Sequence, residues 1–344
     1  LDQKHAHRKD EHIFIAEKQY TAKSNNGLDQ IRILPNNLPE LSFDEIDYST
    51  SLAGKKMEVP FFINAMSGGS PTTTKLNKKF ALAASETGIA MATGSQSIAI
   101  KFPEISPSFQ IVREQNPTGF VIGNLGAGNN LHNAKKAVSM LSADALEIHL
   151  NAIQEIIMPE GDRDFYWQEE ISEIINQLQV PVIIKEVGFG ISPNTLKILK
   201  KINAKYIDLS GHGGTNFAKI ENQRLHGEDF SCLDDLGLNI AECLIASQSY
   251  HDDFSFTASG GIRTPLDIIK CLCLGADNVG ISGLFLHTLL KDDVSGLIKL
   301  IEEFKHQVKS IMTILGCKNI AELRDVPLIF SNELLSFKKQ ITNF

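Results

Sequence analysis

The stretch FSFTASGGIRTPLDIIKCLCLGADNVGISG, residues 254–283, decides the fold. It opens on a short apolar run at 254–259 that halts at Gly260 and Gly261. A helix-like stretch follows at 265–274, and a second short run at 278–282 halts at Gly283. Short apolar runs bounded by glycine read as buried strands, and strand–helix–strand alternation implies a parallel sheet built from βαβ units. Working outward, the same beat recurs. Strands are expected at 59–65, 90–93, 120–124, 145–151, 182–186 and 206–210, with helix-like stretches at 74–86, 133–141, 168–178, 193–200 and 233–249. Eight such units in a chain of 344 residues fit an α/β fold of the (β/α)8 TIM-barrel type better than an open doubly wound sheet. The expected organisation is an N-terminal extension at 1–56, polar and irregular, and a barrel domain at 57–344. That domain closes with an amphipathic helix at 293–315 and a short helical tail.

Composition narrows the function classes. Hydrophobic residues make up 42% and charged residues 22%, ordinary for a large globular core. A net charge of -8 disfavours nucleic acid and anionic membrane as partners, so any anionic ligand needs local donors. No apolar run approaches the roughly 18 residues of a membrane span, and no signal peptide is expected. The five cysteines, Cys232, Cys243, Cys271, Cys273 and Cys317, show no disulfide framework or zinc spacing. They are expected to be buried reduced thiols, which points to the cytoplasm.

In such a barrel the chemistry gathers where strands end and βα loops begin. The strand ends carry Asn64 to Gly69, Gly94-Ser95-Gln96, Gly123-Asn124, His149-Leu150-Asn151 with Gln154-Glu155, and Lys185-Glu186. The later ones carry Ser210 to Thr215, Ser259 to Arg263, and Ser282-Gly283. The glycines after strands seven and eight, ahead of helix N-termini, predict a phosphate site, whether for a substrate or a cofactor. Alternation along strand four puts Glu147, His149 and Asn151 on one inward face. Glu155 is either a Mg2+ ligand or a carboxylate favoured by its helix N-terminus. Lys185 closes an apolar strand, where a buried cation works as a Schiff-base amine or stabilises negative charge on a ligand. The many glycine-rich loops favour the second role.

Read together, these motifs resemble a known family. Arg8-Lys9-x-Glu11-His12, Ala65-Met66-Ser67-Gly68-Gly69, Gly94-Ser95-Gln96, Gly123-Asn124, His149-x-Asn151-x-x-Gln154-Glu155 and Glu160-Gly161-Asp162 are similar to those of type II isopentenyl-diphosphate isomerase. So are Lys185-Glu186-Val187-Gly188, Gly211-x-Gly213-Gly214-Thr215 and Ser259-Gly260-Gly261-Ile262-Arg263. The match keeps its order from about residue 8 to residue 283.

The resemblance implies an FMN-dependent enzyme that interconverts isopentenyl and dimethylallyl diphosphate, needs reduced flavin with NADPH as reductant, and uses Mg2+. Ala65, Met66, Ser67, Ser95, Asn124, Lys185, Ser210, Thr215, Gly260, Gly261, Arg263, Ser282 and Gly283 are then expected at the flavin. Arg8, Lys9, Ser95, Gln96, His149, Asn151 and Gln154 are expected at the substrate, with His149, Asn151 and Gln154 as the catalytic set and Glu155 at the metal. The resemblance also implies a homotetramer or homo-octamer. Isomerisation adds a proton to one carbon and removes another from an allylic carbon. A side-chain amide is a very weak acid and base, so the flavin is expected to supply the acid while Gln154 orients or relays protons.

Three rivals are weaker. An FMN-dependent 2-hydroxy acid oxidase resembles Ser210-Gly211-His212-Gly213-Gly214, but needs an arginine soon after the histidine, and none occurs before Arg224. An inosine-monophosphate dehydrogenase needs a loop cysteine, and none of the five lies at a strand end. A non-catalytic flavin barrel leaves the strand-four polar set without a purpose. The role of His212 stays open.

Overall fold

A computed structural model of the chain describes the backbone of residues 3–66, 68–225 and 227–341. Eight parallel strands close a barrel: β1 (Phe61–Ile63), β2 (Met91–Ala92), β3 (Val121–Gly126), β4 (Ala145–His149), β5 (Val182–Lys185), β6 (Tyr206–Asp208), β7 (Ser255–Ser259) and β8 (Asn278–Ile281). Each lies within or beside its expected run. They pair in chain order, and β8 returns to β1 with Ile281 opposite Ile63.

Alternation sorts the side chains. Phe61, Ile63, Val182 and Ile184 point outward into one large apolar cluster with the surrounding helices. Phe62 and Ile183 point inward and pack with Ala90, Ala92, Ile122 and Ala145 into a dry floor. A hairpin of Thr50–Leu52 and Lys55–Met57 plugs that end of the barrel with Leu52, Ala53 and Met57. The floor leaves the C-terminal strand ends as the open face.

Most crossover helices start on a side-chain cap. Ser70, Asn130, Ser192, Asn216, Asn239 and Thr264 each accept a hydrogen bond from a backbone N–H in the first turn. Such caps are worth about 1 kcal/mol each. The helix Gly283–Leu315 is different, because its Ser282 makes no capping bond.

Three expectations about the periphery change. The extension is not irregular: Gln3–Lys18 forms a helix across the mouth of the barrel. Its charged side chains form cross-links to four strand-end regions. The Asp10 carboxylate accepts from Ser70 Oγ at 2.5 Å after β1. Arg8 pairs with Glu160 at 3.1 Å after β4, and Glu11 accepts from Arg224 Nε at 3.1 Å after β6. Glu17 meets His287 at 2.7 Å after β8. The C-terminal helix begins ten residues earlier than expected, at Gly283, and residue 293, where the periodicity was expected to start, breaks it with Asp293 at φ 57°. The stretch 233–249 shortens to Ile240–Ser247, begun by an Asn239/Glu242 capping box, and the insertion at 211–231 holds a helix, Phe217–Arg224. Four cysteines are buried, as expected, whereas Cys232 is exposed. Among the described residues no helix is long and apolar enough to cross a membrane.

Candidate active site

A large cavity opens at the C-terminal strand ends beneath the Gln3–Lys18 helix. Of the expected site residues, Lys9, Ala65, Met66, Ser95, Asn124, His149, Gln154, Lys185, Ser210, Thr215, Gly260, Gly261, Arg263, Ser282 and Gly283 line it. Ser67 lies outside the described residues.

One end of the cavity gathers groups that can donate to an anion. The uncapped N-terminus at Ser282–Gly283 offers free N–H groups and the positive end of a helix dipole. Arg263 stands beside it, its Nε donating to Thr21 O at 3.0 Å and its guanidinium 4.6 Å from the Tyr20 ring centre. Gly260 and Gly261 bring backbone close on the other side. A Cβ on Gly260, at φ +109°, would stand 2.0 Å from Gly211 O, and one on Gly261, at φ +76°, 2.1 Å from Ser24 Oγ. We expect Gly260→Ala to cost about 3 kcal/mol from combined strain and overlap and to lose bound flavin. Urea unfolding and flavin absorbance of the purified variant check it.

The centre of the cavity rests on a buried acid that sequence reading passed over. Asp208, inside the apolar β6, accepts from Asn64 Nδ2 at 2.7 Å, Ser259 Oγ at 2.6 Å and the Ser210 N–H at 3.2 Å. Ser210 is held at φ 40°, a strained setting that aims it into the cavity. Lys185 Nζ donates to Glu186 O at 2.8 Å and lies 4.0 Å from Asp208 Oδ2. The lysine is thereby buried beside an acid at the floor of the cavity.

Strand four contributes a hydrogen-bonded chain. Asn124 Nδ2 donates to Glu147 Oε2 at 2.8 Å, and Asn124 Oδ1 stands 2.8 Å from His149 Nδ1. Burial, with Lys185 and Lys9 nearby, lowers His149 to about 3, so the ring is neutral. Burial raises Glu147 to about 7 against the pull of Lys185. Lys9, buried under the roof beside Arg8, is lowered to about 8.

Next to this chain lies a second group that sequence reading missed. Gln154 Nε2 donates to Glu221 Oε1 at 2.9 Å. His12 Nε2 sits 2.9 Å from the same oxygen, at ion-pair distance without hydrogen-bond alignment. Arg224 grips Glu221 Oε2 and reaches Glu11 and Glu160. Burial opposes ionisation of Glu221, but His12, Gln154 and Arg224 outweigh it and bring the carboxyl to about 2. The signal for Glu221 and Arg224 was an acid and a base three apart in an insertion on the catalytic face; nothing in sequence spacing ties them to Gln154.

Other expected residues sit elsewhere. Gln96 is fully buried, with its amide donating to Ala137 O at 2.9 Å and accepting the Asn124 N–H at 3.0 Å, so it props β3 from behind and does not face the cavity. Asn151 falls beyond the end of β4, where strand alternation no longer applies. Its Nδ2 donates to Glu155 Oε1 at 2.7 Å. Glu155 Oε2 accepts from the Asp162 N–H at 2.8 Å, and among the described residues no group of three metal-binding side chains occurs. Arg8 is bound to Glu160 and lies outside the cavity lining. His212 turns its Nε2 to Leu236 O at 2.6 Å and packs on Phe189, which ties down a loop.

Comparison with known proteins completes the picture. Residues 112–328 match the family described as FMN-dependent dehydrogenase. The isopentenyl-diphosphate delta-isomerase of Latilactobacillus sakei is 48% identical over 96% of this chain and 94% of its own. This chain belongs to the flavin-dependent isopentenyl-diphosphate delta-isomerases. The enzyme of that name from Lactococcus lactis is 44% identical over 98% of this chain and 97% of its own. The flavin-binding domain of baker's yeast flavocytochrome b2 shares the fold of this isomerase, with a TM-score of 0.67 at 21% identity over 96% of this chain and 81% of that one. A mandelate oxidase variant shares it at a TM-score of 0.62 and 14% identity, over 93% and 92% of the two chains.

Proposed function

We propose that this isomerase interconverts isopentenyl diphosphate and dimethylallyl diphosphate with reduced FMN and Mg2+. The observation that carries the reading is one cavity with two anion-binding corners on opposite sides of the barrel. Arg263, Ser282 and Gly283 form the first at β7 and β8; Lys9, His149 and Gln154 form the second at β4. A cofactor phosphate fits the uncapped helix end, and a substrate diphosphate fits the other.

The residues present fit FMN. The phosphate belongs with Gly260, Gly261, Arg263, Ser282 and Gly283, and the ring with Ala65, Met66, Ser67, Ser95, Asn124, Lys185, Ser210 and Thr215. When bound and reduced, FMN supplies a proton-donating ring nitrogen to the substrate's double bond. Lys185 holds negative charge at the cavity floor. Gln154, fixed by Glu221, orients the allylic carbon and passes its proton toward that carboxylate. Lys9, His149 and Asn151 hold the diphosphate, with Arg8 joining from the N-terminal extension, residues 1–56. Glu155 fits a Mg2+ bound through one carboxylate plus substrate phosphate and water, since each of its oxygens keeps a lone pair beyond its single hydrogen bond. Gln96 acts by shaping β3. NADPH serves only to reduce the flavin, and the chain assembles as a homotetramer or homo-octamer.

The test is anaerobic conversion of isopentenyl diphosphate by purified protein, with FMN, Mg2+ and NADPH each omitted in turn. Product formed only when flavin is present and reduced supports the proposal. Yellow protein that converts nothing under any reducing condition overturns it, and 2-hydroxy acids become the next substrates to try.

A further inference from the structure

The isomerisation as described makes no use of Glu147. This carboxyl lies on the inner face of β4, fully shielded from solvent, and its Oε1 has no hydrogen-bond partner. Its other oxygen takes the Asn124 amide, and that amide's far side meets His149 in the cavity wall. We propose that Glu147 is a positioning residue which, through Asn124, orients the His149 ring and decides which of its two nitrogens carries the proton. The inference rests on the isomerase reading for its purpose, though not for its geometry.

Two arrangements satisfy the same three side chains. With Glu147 ionised, Asn124 Nδ2 donates to the carboxylate and Oδ1 accepts from His149 Nδ1–H, which leaves Nε2 a bare acceptor. With Glu147 protonated and the Asn124 amide turned over, the carboxyl O–H donates to Asn124 Oδ1 and Nδ2 donates to His149 Nδ1. The proton on the neutral ring then sits at Nε2. The second arrangement takes up one proton from solvent relative to the first and oxidises nothing. The partner at one ring nitrogen fixes the tautomer at the other. Only the Nε2–H form donates to an anionic diphosphate, so this route links substrate capture to a proton held at the bottom of the barrel.

The surroundings favour a poised Glu147. Lys185 on β5 stabilises its ionised form, Asp208 on β6 opposes it, β3 presents the uncharged Asn124, and burial favours the acid. His149 itself faces Lys185 and Lys9, both of which hold it neutral. An unpartnered oxygen on an ionised carboxylate is costly in a dry interior, which keeps the protonated form within reach near neutral pH. Nε2 lies beside Gly126, where a Cβ would stand only 3.2 Å from it, so the glycine leaves room for the ring, which lines the cavity.

The experiment is magic-angle-spinning NMR of FMN-loaded enzyme labelled with 15N-histidine, with His149→Asn assigning the signal, over the pH range of activity. The wild type should convert from Nε2–H to Nδ1–H as pH rises through about 7. Glu147→Gln bonds to Asn124 in either sense but cannot titrate. It should abolish the transition, flatten the matching limb of the kcat/KM profile, and raise KM about 10-fold, as for other partners that orient a histidine, with kcat little changed. A tautomer change that persists at the same pH in Glu147→Gln overturns the proposal. A merely structural role would lower stability and leave the NMR transition where it was. The NMR signal needs no turnover, so failure of the isomerase reading would show separately, as absent product with the transition intact.

Discussion

Replacing Glu221 with leucine should cost the folded protein about 3 kcal/mol, because in one step it strips the acceptor from Gln154 and Arg224, removes the carboxylate facing His12, and leaves buried polar groups against an apolar side chain. Arg224 keeps Glu11 and Glu160, so the loss stops short of unfolding. Turnover should fall at least about 100-fold, in the range for loss of a preorganised polar group at a reacting centre, because Gln154 is then free to rotate. The acid limb of stability gives an independent reading. The Glu221 carboxyl is depressed in the folded state to about 2, so its contribution is complete above the ordinary carboxylate value of about 4.3 and is lost as pH falls through 2. The leucine variant should lack that limb. Urea unfolding at several pH values measures both effects, and an unchanged acid limb would remove Glu221 from the network's centre.

Lys185→Met should lower kcat by about 100- to 1000-fold, the usual cost of removing one fixed charge-stabilising donor, while leaving flavin affinity within about 10-fold. The separation follows from geometry. The phosphate corner at Arg263 and Gly283 is built from β7 and β8, whereas Lys185 ends β5. Asp208 keeps the Asn64, Ser259 and Ser210 donors after the change, so the floor remains satisfied and the fold intact. Flavin titration and steady-state isomerisation distinguish the two quantities. Loss of flavin with unimpaired chemistry in reconstituted enzyme would make Lys185 a binding residue instead.

The barrel was legible because β-strands buried on both faces must be apolar runs, and each such run ends at a glycine or a polar residue. Those ends also named most of the cavity wall, since a closed barrel brings its eight strand termini together whatever the loops do. The N-terminal helix was not legible, because its stability comes from ion pairs with distant loops and from few apolar residues of its own. Asn151 was misplaced by carrying strand alternation two residues past His149, where the chain has already turned toward the helix Ala152–Ile157. Gln96 was expected at the substrate as part of the Gly94-Ser95-Gln96 motif, but whereas Ser95 lines the cavity the Gln96 amide enters the wall. Glu147 and Asp208 did carry a signal: each is a lone acid in an apolar strand, and such a residue rarely enters a core without work to do.

The roof over the cavity has a consequence for how the chain comes off the ribosome. Residues 3–18 are made well before three of their partners, Glu160, Arg224 and His287, each of which follows 150 residues or more later. Early in synthesis the helix has the Ser70 and Thr72 hydroxyls to meet, and the Glu17–His287 pair completes its docking only after the barrel's last strand has been made. The roof is therefore completed last, and a nascent chain stalled just before His287 holds every strand of the barrel and an unfinished roof.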